Sequence, residues 1–290
     1  MISVIIPTFN RANTIVRSIN SVLRQTCKDI EIIIVDDNSI DNTEEIIKEI
    51  SSNKIRFIKH TTTKGACSAR NTGISAAQGE YIAFQDSDDE WFPSKLEKQL
   101  RFLQDENIDV TASSYWLINN NNKTLTPKKK ICKSNMLDKI LMGNYVSTQT
   151  ILGKAECFKE ANFDENLPRF QDWELMIRIL QQYKFSFMNE PLVNVFLQDD
   201  SISKDPKKAA VALNLILNKH KNSFGSNKKK LSELYSGVGL TSLYNNKMES
   251  EYFMKAFYYN KYNLRNFIFY CFIKLYLLKT YKNASSSNNN

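Results

Sequence analysis

Residues 30 to 43 read IEIIIVDDNSIDNT. Apart from Glu31, the first six are aliphatic and do not alternate with polar residues, so the strand they form buries both faces. A strand of that kind belongs to a parallel sheet covered by helices on each side. The run stops in Asp36, Asp37, Asn38 and Ser39, residue types that favour turns. Asp41 and Asn42 then offer N-caps to a following helix. The same alternation repeats outward from this stretch. Strands are expected at Ile2–Ile6, Ile30–Val35, Ile55–Ile58, Tyr81–Phe84 and Asp109–Trp116, with helices at Ala12–Gln25, Asn42–Ile50, Ala66–Ala77 and Pro93–Asp105. That order implies an α/β fold with a doubly wound, mostly parallel sheet. Ligands of such sheets lie beyond the carboxyl ends of the strands.

Further on, NNNNK (119–123) and PKKK (127–130) read as a solvated loop. A helix near Ser134–Met142, a strand at Ser147–Leu152, a helix near Trp173–Tyr183 and strands near Phe185–Phe187 and Leu192–Leu197 follow. KDPKK (204–208) marks a boundary, beyond which the pattern is helical: Lys207–Lys221, Lys229–Asn245, Glu249–Tyr259 and Leu264–Tyr281. The last residues, NASSSNNN, are low in complexity and are expected to be disordered.

The chain has 290 residues, 42% hydrophobic and 24% charged, the balance of an ordinary globular protein. Its net charge of +8 is uneven, because from Lys204 to Asn290 there are 15 Lys and Arg against 4 Asp and Glu. A basic end suits an anionic lipid surface; no nucleic-acid-binding module is recognisable, so no nucleic-acid partner is expected. The five cysteines have no metal-type spacing and read as thiols in a reducing, cytoplasmic compartment. NFIFYCFIKLYLLKTYK (266–282) is short for a membrane span and contains Lys274. It fits either a helix lying in a membrane interface or one packed on its own domain.

Three strand ends carry polar clusters: PTFNR (7–11), VDDNSIDNT (35–43) and QDSDD (85–89). Asp86 and Asp88 can aim oxygens at one point, and a hard divalent cation would relieve their repulsion. Such a turn can equally cap the helix near Pro93. Asp37 can accept a hydrogen bond from a nucleobase N–H or a ribose hydroxyl, or serve an N-cap network. Phe9 and Thr8 can stack on and bond to a base, or simply form a turn. Asp172 reads by itself as a helix N-cap, and the two histidines, His60 and His220, read as structural.

GACSARNTGISAAQGEYIAFQDSDD (65–89), taken with SVIIPTFNR and VDDNSIDNT, resembles the family 2 glycosyltransferases, inverting enzymes of glycosyltransferase-A fold. The motifs match in order and spacing over roughly residues 2 to 90, and more loosely to about 203. The resemblance implies transfer of a sugar from a nucleotide-diphosphate donor, most often a UDP-sugar, to a glycan or lipid-linked glycan in surface polysaccharide assembly. It implies that Pro7, Thr8, Phe9 and Asp37 hold the nucleoside, that Arg70 lies near the nucleotide and Asp86 on the donor's ribose or sugar side, and that Asp88 binds Mn²⁺ or Mg²⁺. Asp172 in RFQDWELMIRIL (169–180) falls where the family places its catalytic base. Gln171 replaces the usual Glu before it, and Gln198 replaces a His in the closing segment, where Asp199 or Lys204 could supply the diphosphate contact instead. The implied organisation is a catalytic domain over 1–203 (nucleotide-sugar half 1–110, acceptor half 111–203), a basic helical region over 204–283 that could associate with a membrane, and a tail over 284–290. Two rivals remain: a catalytically inactive sugar- or nucleotide-binding scaffold of the same fold, and a sugar nucleotidyltransferase, which would need an N-terminal Gly-rich phosphate loop that PTFNRAN lacks.

Overall fold

The computed structural model describes residues 1–120, 122–198, 205–224, 227–244 and 250–287. Asp199 and Lys204, suggested above as diphosphate contacts, and the last three residues of the tail lie outside the described residues. Contacts between Cα atoms divide the chain into two compact units: Met1–Asn166 with Gln171–Asp199, and Leu167–Phe170 with Asp200–Asn290.

The first unit is built on β1 (Ile2–Thr8), β2 (Ile30–Asp36), β3 (Ile55–Lys59), β4 (Tyr81–Phe84), β5 (Glu90–Trp91), β6 (Val110–Asn119), β7 (Asn122–Thr126), β8 (Ile151–Lys154) and β9 (Phe185–Phe196). They form one sheet in the order β3-β2-β1-β4-β8-β6-β9-β5, with β7 paired to β6. The strands β1 to β4 are parallel, as the aliphatic runs predict, whereas β8 is antiparallel to both β4 and β6. The sheet is therefore mixed beyond β4.

Both faces are covered. Ile2, Val4 and Ile6 point to a core shared with Ile15, Ile19 and Val22 of α1 (Ile15–Leu23), Ile47 of α2 (Thr43–Glu49), and Leu96 and Leu103 of α4 (Lys95–Asp105). Ile5 alternates to the opposite face. There it meets α3 (Ala66–Ala76) at Gly73, where a Cβ would come within 2.4 Å of the Ile5 side chain. Glycine at 73 thus lets helix and strand approach this closely.

Several expectations are corrected. The polar stretch after β6 is a hairpin, with Asn119 opposite Asn122 and Asn120 in the left-handed conformation at φ 50°. Asparagine tolerates that conformation, so the polar composition specified a tight turn. The strand expected at Ser147–Leu152 begins as a 3-10 turn, Thr148–Thr150, closed by Thr150 N–H and Oγ1 donating to the Ser147 carbonyl at 2.8 and 2.6 Å. The two strands expected around Pro191 are one, β9, whose pairing with β6 shifts register where Met188 faces Ser113 and Pro191 faces Ser114. A proline inside a sheet is tolerated at such an irregularity. Helices α5 (Met136–Met142), α6 (Ala155–Glu160) and α7 (Gln171–Gln182) complete this unit.

The second unit contains α8 (Pro206–Phe224), α9 (Lys228–Tyr244), α10 (Ser250–Tyr259) and α11 (Leu264–Ser287). Helices α9 and α10 pack as a hairpin, with Ser232 Oγ donating to the Ala256 carbonyl at 2.6 Å and Tyr235 stacked on Tyr259 at 5.6 Å. Helix α11 continues through Ser287, into the segment expected to be disordered. No glycine or proline interrupts it there.

Candidate active site

Because β1, β2 and β4 are parallel, their polar ends meet at one edge. Thr8 is level with Asp36, and Gln85 follows β4 by donating its N–H to the Ile5 carbonyl at 2.9 Å. The loops leaving β1 and β2 brace each other. Asn10 N–H donates to Ser39 Oγ, Ile40 N–H to Asn10 Oδ1 and Arg11 N–H to Thr43 Oγ1, each at 2.9 Å. PTFNR and VDDNSIDNT are thus one structure.

At this end Pro7 is buried inside β1 opposite Val35 and shapes the strand tip. Thr8 is only 3% exposed, and its hydroxyl has no hydrogen-bond partner among the described residues. A buried hydroxyl left unpaired is costly unless a ligand completes it. Phe9 is 43% exposed and presents a ring at the edge. Asp37 is buried and accepts from Lys64 N–H at 2.9 Å and Gly65 N–H at 2.7 Å, with His60 Nδ1 at 2.7 Å.

The acidic turn lies further along the same edge. Arg70, 6% exposed, donates to Asp86 Oδ1 at 2.8 Å and to Gln171 Oε1 at 3.1 Å. Arg11 Nε stands 3.8 Å from Asp88 Oδ2, while Arg17 donates to the Asp88 carbonyl and stacks over the Phe196 ring at 3.8 Å. Asp89 turns inward, accepting from Phe196 N–H at 2.9 Å and Gln149 Nε2 at 2.6 Å. Burial, then the charges of Asp88 and Asp86, push its carboxyl well above the usual range. The three aspartates therefore differ in kind: one is bound to a buried guanidinium, one is partly exposed and one is an interior polar group.

Asp172 begins α7. Its Oδ1 accepts from Asn144 Nδ2 at 2.9 Å and from Trp173 N–H at 2.7 Å, and Oδ2 takes part in neither bond. Burial pushes this carboxyl up to about 6, against the lowering influence of the Trp173 N–H, the Asn144 amide and Arg70. Tyr115 on β6 lies within electrostatic reach, its phenol pushed up to about 12 by burial and then by the Asp172 charge.

The structure therefore brings Pro7, Thr8, Phe9, Asp37, Arg70, Asp86, Asp88 and Asp172 to one edge of the first unit. Sequence reasoning missed Arg11, Arg17, Asn144 and Gln149. Arg11 stood inside a quoted motif; Asn144 and Gln149 lie in loop and turn segments with no periodicity to mark them.

Among the described residues no three His, Cys, Asp or Glu side chains form a ready-made metal cage. Mg²⁺ and ions like it do not require one, since one or two carboxylates with water and phosphate oxygens suffice. Asp88, 22% exposed at the side chain and 3.8 Å from Arg11, could supply one such carboxylate, with Asp86, 26% exposed and paired with Arg70, beside it, whereas Asp89 is used inside. The donor set fits a cation that arrives with a diphosphate.

A sheet that is parallel through β4 and mixed beyond it, with this polar edge at its strand tips, defines a glycosyltransferase-A fold. The Staphylococcus aureus TarS 1-349 structure in complex with UDP-GlcNAc superposes with a TM-score of 0.68 at 19% identity, covering 96% of this chain and 92% of that one. The chain belongs to glycosyl transferase family 2, whose sequence profile matches residues 3–162. It is 32% identical over 293 residues to the glycosyltransferase RC0461 of Rickettsia conorii, covering 96% of this chain and 47% of that protein. It is 41% identical over 132 residues to the Escherichia coli UDP-Glc:alpha-D-GlcNAc-diphosphoundecaprenol beta-1,3-glucosyltransferase WfgD, covering 44% of this chain and 52% of that protein. The chain spans less than half the length of the rickettsial relatives it matches.

Proposed function

We propose that the chain is an inverting glycosyltransferase that moves a sugar from a UDP donor to a hydroxyl of a glycan in surface polysaccharide assembly. The observation that carries this reading is the Arg70 bridge. One buried guanidinium holds both Asp86 of the acidic turn and Gln171 beside Asp172. The proposed sugar side of the donor and the segment that carries a candidate base are thereby tied through one side chain, an arrangement suited to attack on a carbon held between them. Thr8, Phe9 and Asp37, on the strand tip shaped by Pro7, hold the nucleoside. Arg70 and Asp86 face the donor's sugar side. Mn²⁺ or Mg²⁺ held by Asp88 would carry the negative charge that builds on the departing diphosphate. Asp172 Oδ2 takes the acceptor's proton as the hydroxyl oxygen bonds to the anomeric carbon and that carbon's bond to the diphosphate oxygen breaks. The configuration inverts and nothing becomes attached to the protein.

Incubation with a panel of nucleotide sugars and either cation, reading nucleoside diphosphate release, tests this. One UDP-sugar is expected to stand out. Release from none of them, with lipid-linked glycans supplied as acceptors, would leave the inactive-scaffold reading in its place.

The acceptor proposed here is a glycan on a lipid carrier, met at the cytoplasmic face of a membrane. Helix α11 supports this. Its buried stripe includes Asn266 and Ile273, yet Leu264, Phe267, Ile268, Phe272, Leu275 and Tyr276 are all exposed. So many exposed large apolar residues on one helix mark a contact surface. Lys228, Lys229, Lys261 and the rings of Tyr258, Tyr259 and Tyr262 line a cavity of about 470 Å³ at the corner between α10 and α11. Among the described residues no helix is long and apolar enough to cross a membrane; the contact proposed is that of a helix lying in the interface. Vesicles rich in anionic phospholipid are expected to sediment the protein, and the triple variant I268E/F272E/L275E, altered only at exposed positions, should stay in solution. Equal sedimentation of parent and variant would remove the membrane contact.

A further inference from the structure

The strongest unabsorbed feature is the buried histidine behind Asp37. His60 directly follows β3, and its ring spans two elements. Nδ1 is 2.7 Å from Asp37 Oδ1, and Nε2 is 2.9 Å from Thr72 Oγ1 on α3. An ionised carboxylate only accepts, so Nδ1 carries the proton, and in the neutral ring Nε2 accepts from the Thr72 hydroxyl. The His60 main chain is fixed as well, its N–H donating to the Asp36 carbonyl at 2.8 Å.

Asp37 is consequently held from three directions. Lys64 N–H and His60 converge on Oδ1, and Gly65 N–H takes Oδ2. Gly65 sits at φ 95° with nothing near a would-be Cβ, so the conformation, and not space, calls for glycine there. A carboxylate offers about four lone-pair sites. Three are occupied by the protein's own donors, and the fourth, on Oδ2, has its direction set by them. A ring buried to 7% exposure and bonded at both nitrogens is a strong constraint on that direction.

We propose that His60 is a positioning residue for base recognition: it locks Asp37 so that the remaining lone pair meets the N3–H of uracil and rejects a base that presents an acceptor there. This rests on the nucleoside role proposed for Asp37. A locked acceptor discriminates because cytosine, with an unprotonated N3, would place two acceptors face to face, whereas a carboxylate free to swing could turn away.

The test uses UDP and CDP binding to the full chain, measured by calorimetry. The Asn amide nitrogen reproduces Nδ1, and the longer Gln amide reproduces Nε2. His60→Asn should therefore bind UDP within about twofold of the parent, while His60→Gln and His60→Ala should lose about tenfold, the size of one hydrogen bond to a charged group. The loss should fall on UDP and not on CDP, so that the ratio of the two affinities collapses. Should His60→Ala fail to fold, the Asn and Gln pair still decides. Equal losses in the Asn and Gln variants, or equal losses for UDP and CDP, would overturn the assignment. Asp37→Ala, which removes the acceptor, separates the two ideas. If that variant loses UDP binding while the His60 variants keep it, His60 is only structural; if it binds UDP as the parent does, the nucleoside role of Asp37 itself is wrong.

Discussion

Asp172→Asn is expected to lower sugar transfer by about a hundredfold to ten-thousandfold, the range supplied by a positioned general base, while UDP binds as before. The substitution suits the question because an asparagine Oδ1 still accepts from Asn144 and Trp173, which hold the side chain at 2.9 and 2.7 Å. Geometry is kept and basicity is lost. The pH dependence follows from the same environment. Burial pushes the Asp172 carboxyl up to about 6, so the base is ionised and competent above that value and becomes protonated below it. Transfer should be level from neutral pH upward and fall about tenfold per unit once pH drops well under 6. A parent profile that stays flat down to pH 4.5, or an Asn variant that transfers at the parent rate, would assign the proton to another group. Gln171 contributes to this setting. It accepts from Arg70 without adding charge. Gln171→Glu would add a second anion beside Asp172, which disfavours ionisation, and should move the falling limb to higher pH.

The parallel half of the fold was readable because each strand is an unbroken aliphatic run ending in turn-forming polar residues. IEIIIV buries every position except Glu31, and the chain leaves it at Asp36. The elements that escaped reading have no signal of their own. Strand β5 is only Glu90–Trp91 and exists because β9 offers it a partner, Glu90 facing Asn194. Strand β9 reads as two because Pro191 interrupts it, yet the Asn189 side chain bonds both the N–H and the carbonyl of Ile131 beside the irregularity, at 2.7 and 2.8 Å. The site divides in the same way. Candidate residues at adjacent positions of a strand tip, such as Thr8 and Phe9, were visible as motifs. Contacts that close over long separations were not. Arg70 reaches Asp86 across 16 residues, Asn144 reaches Asp172 across 28 and Gln149 reaches Asp89 across 60. Chain order says nothing about which side chain answers which charge.

These contacts bear on Asp88, whose replacement by asparagine should lower donor turnover by about a thousandfold. From sequence, a hard divalent cation is expected to relieve the repulsion between Asp86 and Asp88. In the folded chain the protein's own groups temper the charge of this turn as well: Asp86 is paired with Arg70, Asp88 faces Arg11, and burial favours the neutral form of Asp89. A divalent ion is therefore expected to bind weakly to the protein alone and strongly only with a diphosphate, whose oxygens supply the remaining ligands. The sign of the binding change tests this. In the parent, Mn²⁺ should tighten UDP binding and a chelator should weaken it. In Asp88→Asn, the cation should make no difference. Without metal, the variant should hold UDP as tightly as the parent or more so, because one fewer negative charge then stands beside the diphosphate. A variant that keeps the Mn²⁺ enhancement would move the cation to another carboxylate. One that loses UDP binding equally with and without metal would make Asp88 a direct contact of the nucleotide.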